Sequence, residues 1–272
     1  MQCMELWGGI SETERSVAMT GLNAYLYSRP FEDGKTGGDV YYFSSCASGR
    51  ISRILLADVT GHGDAVSGTA DMLRRVMRRN VNTIRQTRLV QRMNNEFGEI
   101  AERGGFATSV VATFYAPRRT MSVSVAGHPP PLLHRAGESD WTVVDTKSAR
   151  PLSGLPLGVM EGVTYDVFSV KFNPGDRLLL YTDAFYEALD RNGDLLKAEG
   201  LCETLKAVGD ESPQKLLLHL RTELEKLRPG NLDRDDATAI VIEATGDSIP
   251  FANNLWAPMR LLGRIRESIV SR

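Results

Sequence analysis

The sequence predicts an α+β protein layered around antiparallel sheets rather than a regular βαβ alternation. Three observations carry this. Strand-like runs with period-2 alternation are frequent, two of them flank a short turn as a hairpin, and helical segments come in pairs between groups of strands. In chain order, the apolar run 51–59 reads as a deeply buried strand. A helix is expected after Gly63, running through Asp71, Met72 and Leu73 to about Asn80. A second should cover 86–102, where Leu89, Met93, Phe97 and Ile100 form one stripe. Residues 109–115 (SVVATFY) and 121–126 (MSVSVA) flank Ala116-Pro117-Arg118-Arg119 as an antiparallel hairpin, with Met121, Val123 and Val125 alternating with Ser122 and Ser124. Residues 165–172 put Phe168, Val170 and Phe172 on one face of a half-buried strand. Runs 177–182 and 239–243 read as further buried strands. Between them, Ser212-Pro213 is an N-cap followed by proline at the first helical position. Leu217, Leu220, Leu224 and Leu227 then repeat at helical spacing until Pro229-Gly230 ends the run.

Composition narrows the function classes. The 272 residues carry 32 Lys+Arg against 34 Asp+Glu, a formal net charge of −2, and 42% are hydrophobic, as in a soluble globular protein. Such a balance argues against a nucleic-acid-coating protein and against a binder of anionic membranes. No stretch approaches the roughly 18 consecutive apolar residues of a membrane span, and the start (MQCMELWGGISETER) lacks the order of a secretion signal, so a cytoplasmic location is expected. Cys3, Cys46 and Cys202 make neither a disulfide framework nor a zinc spacing, and the four histidines are scattered. Cys46 and Cys202 read as packing residues. Carboxylate is plentiful. A metal held by this chain should therefore be a hard, oxygen-loving one.

The chemical signal lies in where certain aspartates sit. Asp39 opens a strand after Gly37-Gly38, Asp58 closes the run Ile54-Leu55-Leu56-Ala57, Asp183 closes Leu178-Leu179-Leu180-Tyr181-Thr182, and Asp235-Asp236 stand just before Ala239-Ile240-Val241-Ile242. Each spot puts a carboxylate at the tip of a buried strand, where a rigid sheet can aim it. Taken singly, an Asp beside Gly at a strand end is a turn former or a helix cap. Taken together, carboxylates converging from distant tips repel one another unless cations compensate them. Two divalent ions bridged by water would do so, and such a pair turns water into a nucleophile near neutral pH.

Seven blocks also occur in a familiar order: GGDVY at 37–41, DVTGHG at 58–63, FAT at 106–108, AGHPPP at 126–131, LPLG at 155–158, LLLYTDAFYEA at 178–188 and DDAT at 235–238. Over about residues 20–245 the chain resembles the metal-dependent protein serine/threonine phosphatases of type 2C (PPM), in the bacterial branch of the stage II sporulation phosphatase and the stress sigma-factor regulators. The resemblance implies an α/β/β/α sandwich, two central antiparallel sheets flanked by helix pairs, with two divalent cations, Mn2+ or Mg2+, at one end. It implies that Asp39 and Asp58 hold the metal pair, Asp58 bridging both ions, with the backbone carbonyl of Val59, Asp183 and Asp235 completing the set. Those four aspartates are then the catalytic residues of an enzyme that hydrolyses phosphoserine or phosphothreonine on a protein. The substrate implied is a small anti-anti-sigma-like phosphoprotein of a partner-switching pathway, and the family also suggests a homodimer; neither nucleic acid nor membrane is expected as a partner. On this reading residues 1–20 are an N-terminal extension, 21–245 the phosphatase domain and 246–272 a C-terminal amphipathic tail.

Several positions depart from the pattern or stay open. Ala184 replaces the glycine usual after Tyr-Thr-Asp, and Tyr42 stands where an acid is common. Aligning the Asp-Gly-His-Gly of eukaryotic relatives at Asp58 puts their histidine on Thr60, so His62 reads as a loop residue, with proton donation as the alternative. Asp236 is expected behind Asp235 rather than on a metal. His128, in a turn made rigid by Pro129, Pro130 and Pro131, reads as a packed residue before a substrate contact. The basic row Arg74, Arg75, Arg78 and Arg79 is read as a solvated helix face, or else a contact for a phosphoprotein or second subunit. In the tail, Leu261, Leu262, Ile265 and Ile269 share one helical face, with Arg260, Arg264 and Arg266 elsewhere; packing on the domain and docking of a partner both remain open. A catalytically inactive PPM-fold binding or sensor module is the rival from another class, and a metal-dependent nuclease a weaker third.

Overall fold

Strands with apolar residues on both faces can only be accommodated if both faces are covered. The computed structural model describes residues 4–9, 12–31, 37–46, 48–59, 64–100, 105–144 and 153–247, and of 64–67 and 100 only the backbone. One sheet is ordered β1 (Met4–Gly8), β4 (Asp39–Ser45), β5 (Ile51–Val59), β6 (Ala107–Tyr115), β7 (Thr120–Ala126), β10 (Phe168–Lys171). The other is ordered β2 (Thr13–Met19), β3 (Leu22–Arg29), β12 (Ala237–Ala244), β11 (Arg177–Tyr181), β8 (Leu132–His134), β9 (Trp141–Val143). All neighbouring strands in both sheets pair antiparallel.

The inner faces meet in one apolar layer. Tyr41, Phe43, Ile54, Leu56, Val110 and Phe114 from the first sheet are buried against Leu26, Leu178, Leu180, Ile240 and Ile242 from the second. Intervening residues point outward. Val40, Tyr42, Leu55 and Val111 lie beneath α1 (Asp64–Asn80) and α2 (Gln86–Ile100), which contribute Leu73, Val76, Met77, Leu89, Met93 and Phe97. On the far side, Tyr27, Leu179, Tyr181 and Val241 lie beneath α4 (Lys197–Val208) and α5 (Pro213–Leu227), through Leu201, Leu205, Leu216, Leu220 and Leu224. A four-residue helix, α3 (Asp183–Tyr186), leads away from β11. The result is the α/β/β/α sandwich, an α+β architecture. Among the described residues no helix is long and apolar enough to cross a membrane.

Differences from the sequence reading have local causes. Residues 4–8 and 13–19, read as an extension, pair as the edge strands β1 and β2. The strand expected at 165–172 is limited to 168–171, the part that finds β7 as a partner. Tyr165 instead packs toward α2, where its hydroxyl donates to Asn94 Oδ1 (3.1 Å), an oxygen that also accepts from Gly158 N (3.0 Å). Ser212 is extended and its carbonyl accepts from Leu216 N (2.8 Å), but its side chain makes no capping bond. Helix α4, with Gly200 inside it, was not foreseen; it packs beside α5 on the second sheet. Arg53 is buried under the turn between α1 and α2, donating to the carbonyls of Val81 (2.5 Å) and Thr83.

The basic row on α1 is absorbed by ion pairs. Arg74 and Arg75 pair with Asp71 (2.7 and 2.8 Å), Arg78 with Glu5 (3.2 Å) and Arg79 with Glu96 (3.2 Å), while the Arg74 guanidinium lies 3.6 Å from the Trp7 ring centre. The side chains of Ile100, Thr60 and His62 and the tail positions Arg260, Leu261, Leu262, Arg264, Ile265, Arg266 and Ile269 lie outside the described residues.

Because the inter-sheet layer is the continuous core, Ile54→Ala should lower unfolding free energy by about 2–5 kcal/mol. Leu218→Ala, at a side chain 51% exposed on α5, should stay within about 0.5 kcal/mol of the parent. Urea unfolding of the two variants checks the contrast.

Candidate functional site

The alternation that builds the inter-sheet layer continues past its apolar end. Inward positions run Phe43, Tyr41, Asp39 on β4; Ile54, Leu56, Asp58 on β5; and Phe114, Ala112, Val110, Thr108 on β6. Asp39 is the direct partner of Asp58, and Asp58 of Thr108, so all three side chains leave the sheet on the same face. Across the gap the inward positions run Leu178, Leu180, Thr182, and Ile242, Ile240, Thr238, Asp236. One end of the sandwich is thus lined with carboxylates and hydroxyls where the rest is lined with hydrocarbon.

Asp39 is buried, 2% exposed. Its Oδ2 accepts from the Thr182 hydroxyl (3.1 Å), which itself accepts from Thr238 N (3.0 Å), so one hydroxyl stitches the two sheets at this end. Asp39 Oδ1 is buried with no hydrogen-bond partner. Asp58 and Asp183 are half-buried, Asp183 being the first residue of α3. Val59 ends β5, its N–H donating to Gly38 O (3.1 Å). Asp235 is exposed in the turn before β12 and accepts from Asp236 N (2.8 Å). Asp236 accepts from Phe31 N (2.6 Å) and from Gly38 N, which ties the turn before β12 to the turn before β4. Glycine is required at two points here. A Cβ on Gly37 would lie 2.9 Å from the Gly9 carbonyl oxygen and as close to the Asp236 carboxylate, and one on Gly9 (φ +135°) would lie 1.8 Å from the Asp39 carbonyl oxygen.

The electrostatics show that the aspartates share one neighbourhood. Burial pushes Asp39 well above the usual carboxylate range, and the neighbouring Asp58, then Asp236 and Asp183, push it further. Asp58 is raised to about 7, first by burial and then by Asp183, Asp235 and Asp236. Asp183 is raised to about 6 by burial and then by Asp235 and Glu187. An acceptor-only carboxylate oxygen without a donor, beside a second carboxylate on the paired strand, fits a compensating cation of the hard, oxygen-binding kind. Among the described residues no three acidic, imidazole or thiol side chains close around one point. An ion here would keep several waters, as Mg2+ does.

The residues that sequence reading passed over are Thr182, Thr238 and Gly38. Thr182 and Thr238 stand inside the Tyr-Thr-Asp and Asp-Asp-Ala-Thr blocks. Extending the period-2 count from Leu178 and Leu180, or from Ile242 and Ile240, points both of them inward. His128 is buried, with Nδ1 2.8 Å from Thr108 Oγ1, and burial pushes its imidazole down to about 3, so it is a packed neutral ring. Cys202 is half-buried against the α4–α5 layer, and Cys46 Sγ accepts from Ile51 N (3.2 Å).

Two stacked antiparallel sheets with helix pairs outside them define the fold of the PP2C-type phosphatases. Residues 48–245 match the family described as stage II sporulation protein E (SpoIIE), and the chain belongs to that family. It is 25% identical over 206 residues to phosphoserine phosphatase RsbU of Bacillus subtilis (strain 168), a match covering 75% of this chain and 58% of RsbU. The chain therefore spans a little over half the length of that relative. The structure of the RsbU and RsbW domains of Rv1364c from Mycobacterium tuberculosis superposes with a TM-score of 0.66 at 24% identity, covering 86% of this chain and 64% of that one. The catalytic domain of the serine/threonine phosphatase PstP, in complex with two manganese ions, superposes with a TM-score of 0.55 at 15% identity, covering 82% of this chain and 98% of that one.

Because Asp58 and Asp183 ionise at higher pH in the fold than the ordinary 3.8, their contribution to stability is complete below about pH 4 and is lost as pH rises through 6 and 7. In the metal-free protein the melting temperature should fall over that window by roughly 5 °C or more. Asp58→Asn should flatten the fall. The difference between the two melting curves, recorded in chelator, is the measurement.

Proposed function

We propose that this chain is a Mn2+- or Mg2+-dependent phosphatase acting on phosphoserine or phosphothreonine in a protein. The observation that carries the reading is the pairing of Asp39 with Asp58 at the buried end of two strands, with one Asp39 oxygen left without a donor. Asp39, Asp58, Asp183 and Asp235, with the Val59 carbonyl, would hold two divalent cations. Bound there, the cations supply charge neutralisation of the phosphoryl oxygens and a water acidic enough to attack phosphorus near neutral pH. Asp58, paired with Asp39 on the neighbouring strand and raised by Asp183 and Asp235 from the second sheet, is suited to face both ions. Asp236 is committed to two backbone N–H groups, which suits it to bracing the Asp235 turn rather than to binding an ion. Thr182 orients Asp39. No cysteine or serine nucleophile is called for.

As substrate we propose a small anti-anti-sigma-like phosphoprotein of a partner-switching pathway in the cytoplasm. Support comes from the RsbU relative and from the mycobacterial structure in which an RsbU domain occurs together with an RsbW domain. A homodimer is part of the same reading, as are the absence of nucleic-acid and membrane partners, which rest on the near-neutral charge of −2.

Asp58→Asn and Asp183→Asn should each cut Mn2+-dependent release of phosphate from a phosphoserine protein by about 100-fold or more, and chelation should do the same to the parent. Full activity in Asp58→Asn would overturn the assignment.

A further inference from the structure

Two of the sequence blocks, Phe106-Ala107-Thr108 and the Ala126–Pro131 turn, have no part in the function proposed above, yet the fold brings them into contact beside the aspartates. Thr108 stands directly opposite Asp58 in the β5–β6 register, so their side chains rise from the same face as close neighbours. Thr108 Oγ1 lies 2.8 Å from His128 Nδ1. His128 is 6% exposed, in the turn that leaves β7. Its ring also meets the backbone of Tyr181, the last residue of β11. The geometry there leaves Nε2 without a hydrogen-bond partner. One imidazole thus touches the strand beside Asp58 in one sheet and the strand end two residues before Asp183 in the other.

We propose that Thr108 and His128 are a positioning pair that sets the direction of the Asp58 carboxylate and its spacing from Asp183 across the two sheets, and thereby the affinity of the site for divalent cations. The inference rests on reading the aspartate cluster as a metal site. A hydroxyl holds one proton and two lone pairs. Whichever partner donates in the Thr108–His128 bond, that bond fixes the hydroxyl's rotation and leaves a defined polar direction free on the face that carries Asp58. The neutral imidazole can do this without adding charge to the site. A ring wedged between two sheets also resists their approach or separation at the end where hydrocarbon packing stops. Groups behind metal ligands act in this way, and losing one typically weakens metal binding by about 10- to 100-fold.

The test is a calorimetric Mn2+ titration of the full chain, purified metal-free, alongside its metal-free melting temperature and its hydrolysis of a phosphoserine protein. Thr108→Val keeps the volume and removes the hydroxyl; it should weaken Mn2+ binding by about 10-fold or more. Thr108→Ser should restore binding close to the parent. The double variant Thr108→Val/His128→Phe removes both polar groups and so leaves neither one buried without its partner. It should melt near the parent without metal yet bind Mn2+ as weakly as Thr108→Val, and it carries the test if the single variant does not fold. Parent-like Mn2+ affinity in Thr108→Val or in the double variant, or no recovery in Thr108→Ser, overturns the proposal. A parent that binds Mn2+ but releases no phosphate overturns the phosphatase reading alone, since the affinity series still decides the positioning pair. A parent that binds no Mn2+ overturns both.

Discussion

Asp39 and Asp58 face each other across two hydrogen-bonded strands, the first buried and the second half-buried, with like charge and with one Asp39 oxygen unsatisfied. Left to themselves they would separate or stay protonated. What holds them together is the register of β4 on β5, and what holds the register is hydrocarbon. Tyr41 and Phe43 on one strand, and Leu56 and Ile54 on the other, must all face the second sheet. A slip of one residue would turn the aspartates outward, beneath α1 and α2, and expose the core face of the strand. The apolar layer therefore does more than stabilise the fold. It makes an unfavourable arrangement of carboxylates obligatory at one end.

The second sheet completes that end by a different device. Thr182 reaches across the gap to Asp39 while accepting from the Thr238 backbone, and Asp236 gathers the N–H groups of Phe31 and Gly38. These bonds join the turn before β12 to the turn before β4, segments nearly 200 residues apart in the chain. Close approach there leaves no space for a Cβ at Gly37, and the chain leaving β1 crosses so near the Asp39 carbonyl that Gly9 is required as well. The family match begins at residue 48, so Asp39 and both N-terminal strands lie before it. In the fold, however, β1 borders β4 and β2 borders β3, which makes residues 4–8 and 13–19 part of the frame that carries the site.

Legibility from sequence followed the strength of local signals. Strands β5, β6, β7, β11 and β12 and helices α1, α2 and α5 were readable because each carries a long, unambiguous period or a clear terminator. Helix α4 has only Ala198, Leu201 and Leu205 fully buried and a glycine in its middle, so its apolar stripe is thin. The edge strands β1 and β2 are half exposed and polar on one face, which resembles loop. Tyr165 sat in good alternation with its neighbours, but its hydroxyl found Asn94 from a helix 71 residues earlier in the chain.

The aspartates at strand tips, the glycines that precede them and the order of the seven blocks are properties of the chain alone. They determined the family, the layered α+β fold and a short list of carboxylates, because periodicity and turn chemistry are written in adjacent residues. Which of two neighbouring acids is held by backbone N–H groups, and which hydroxyl bridges the sheets, were decided only in the folded state. Asp235 and Asp236 differ by one position in sequence; in the structure one is exposed and the other is bound to two turns. Contacts between segments so far apart depend on how two sheets stack, and no local pattern encodes that distance.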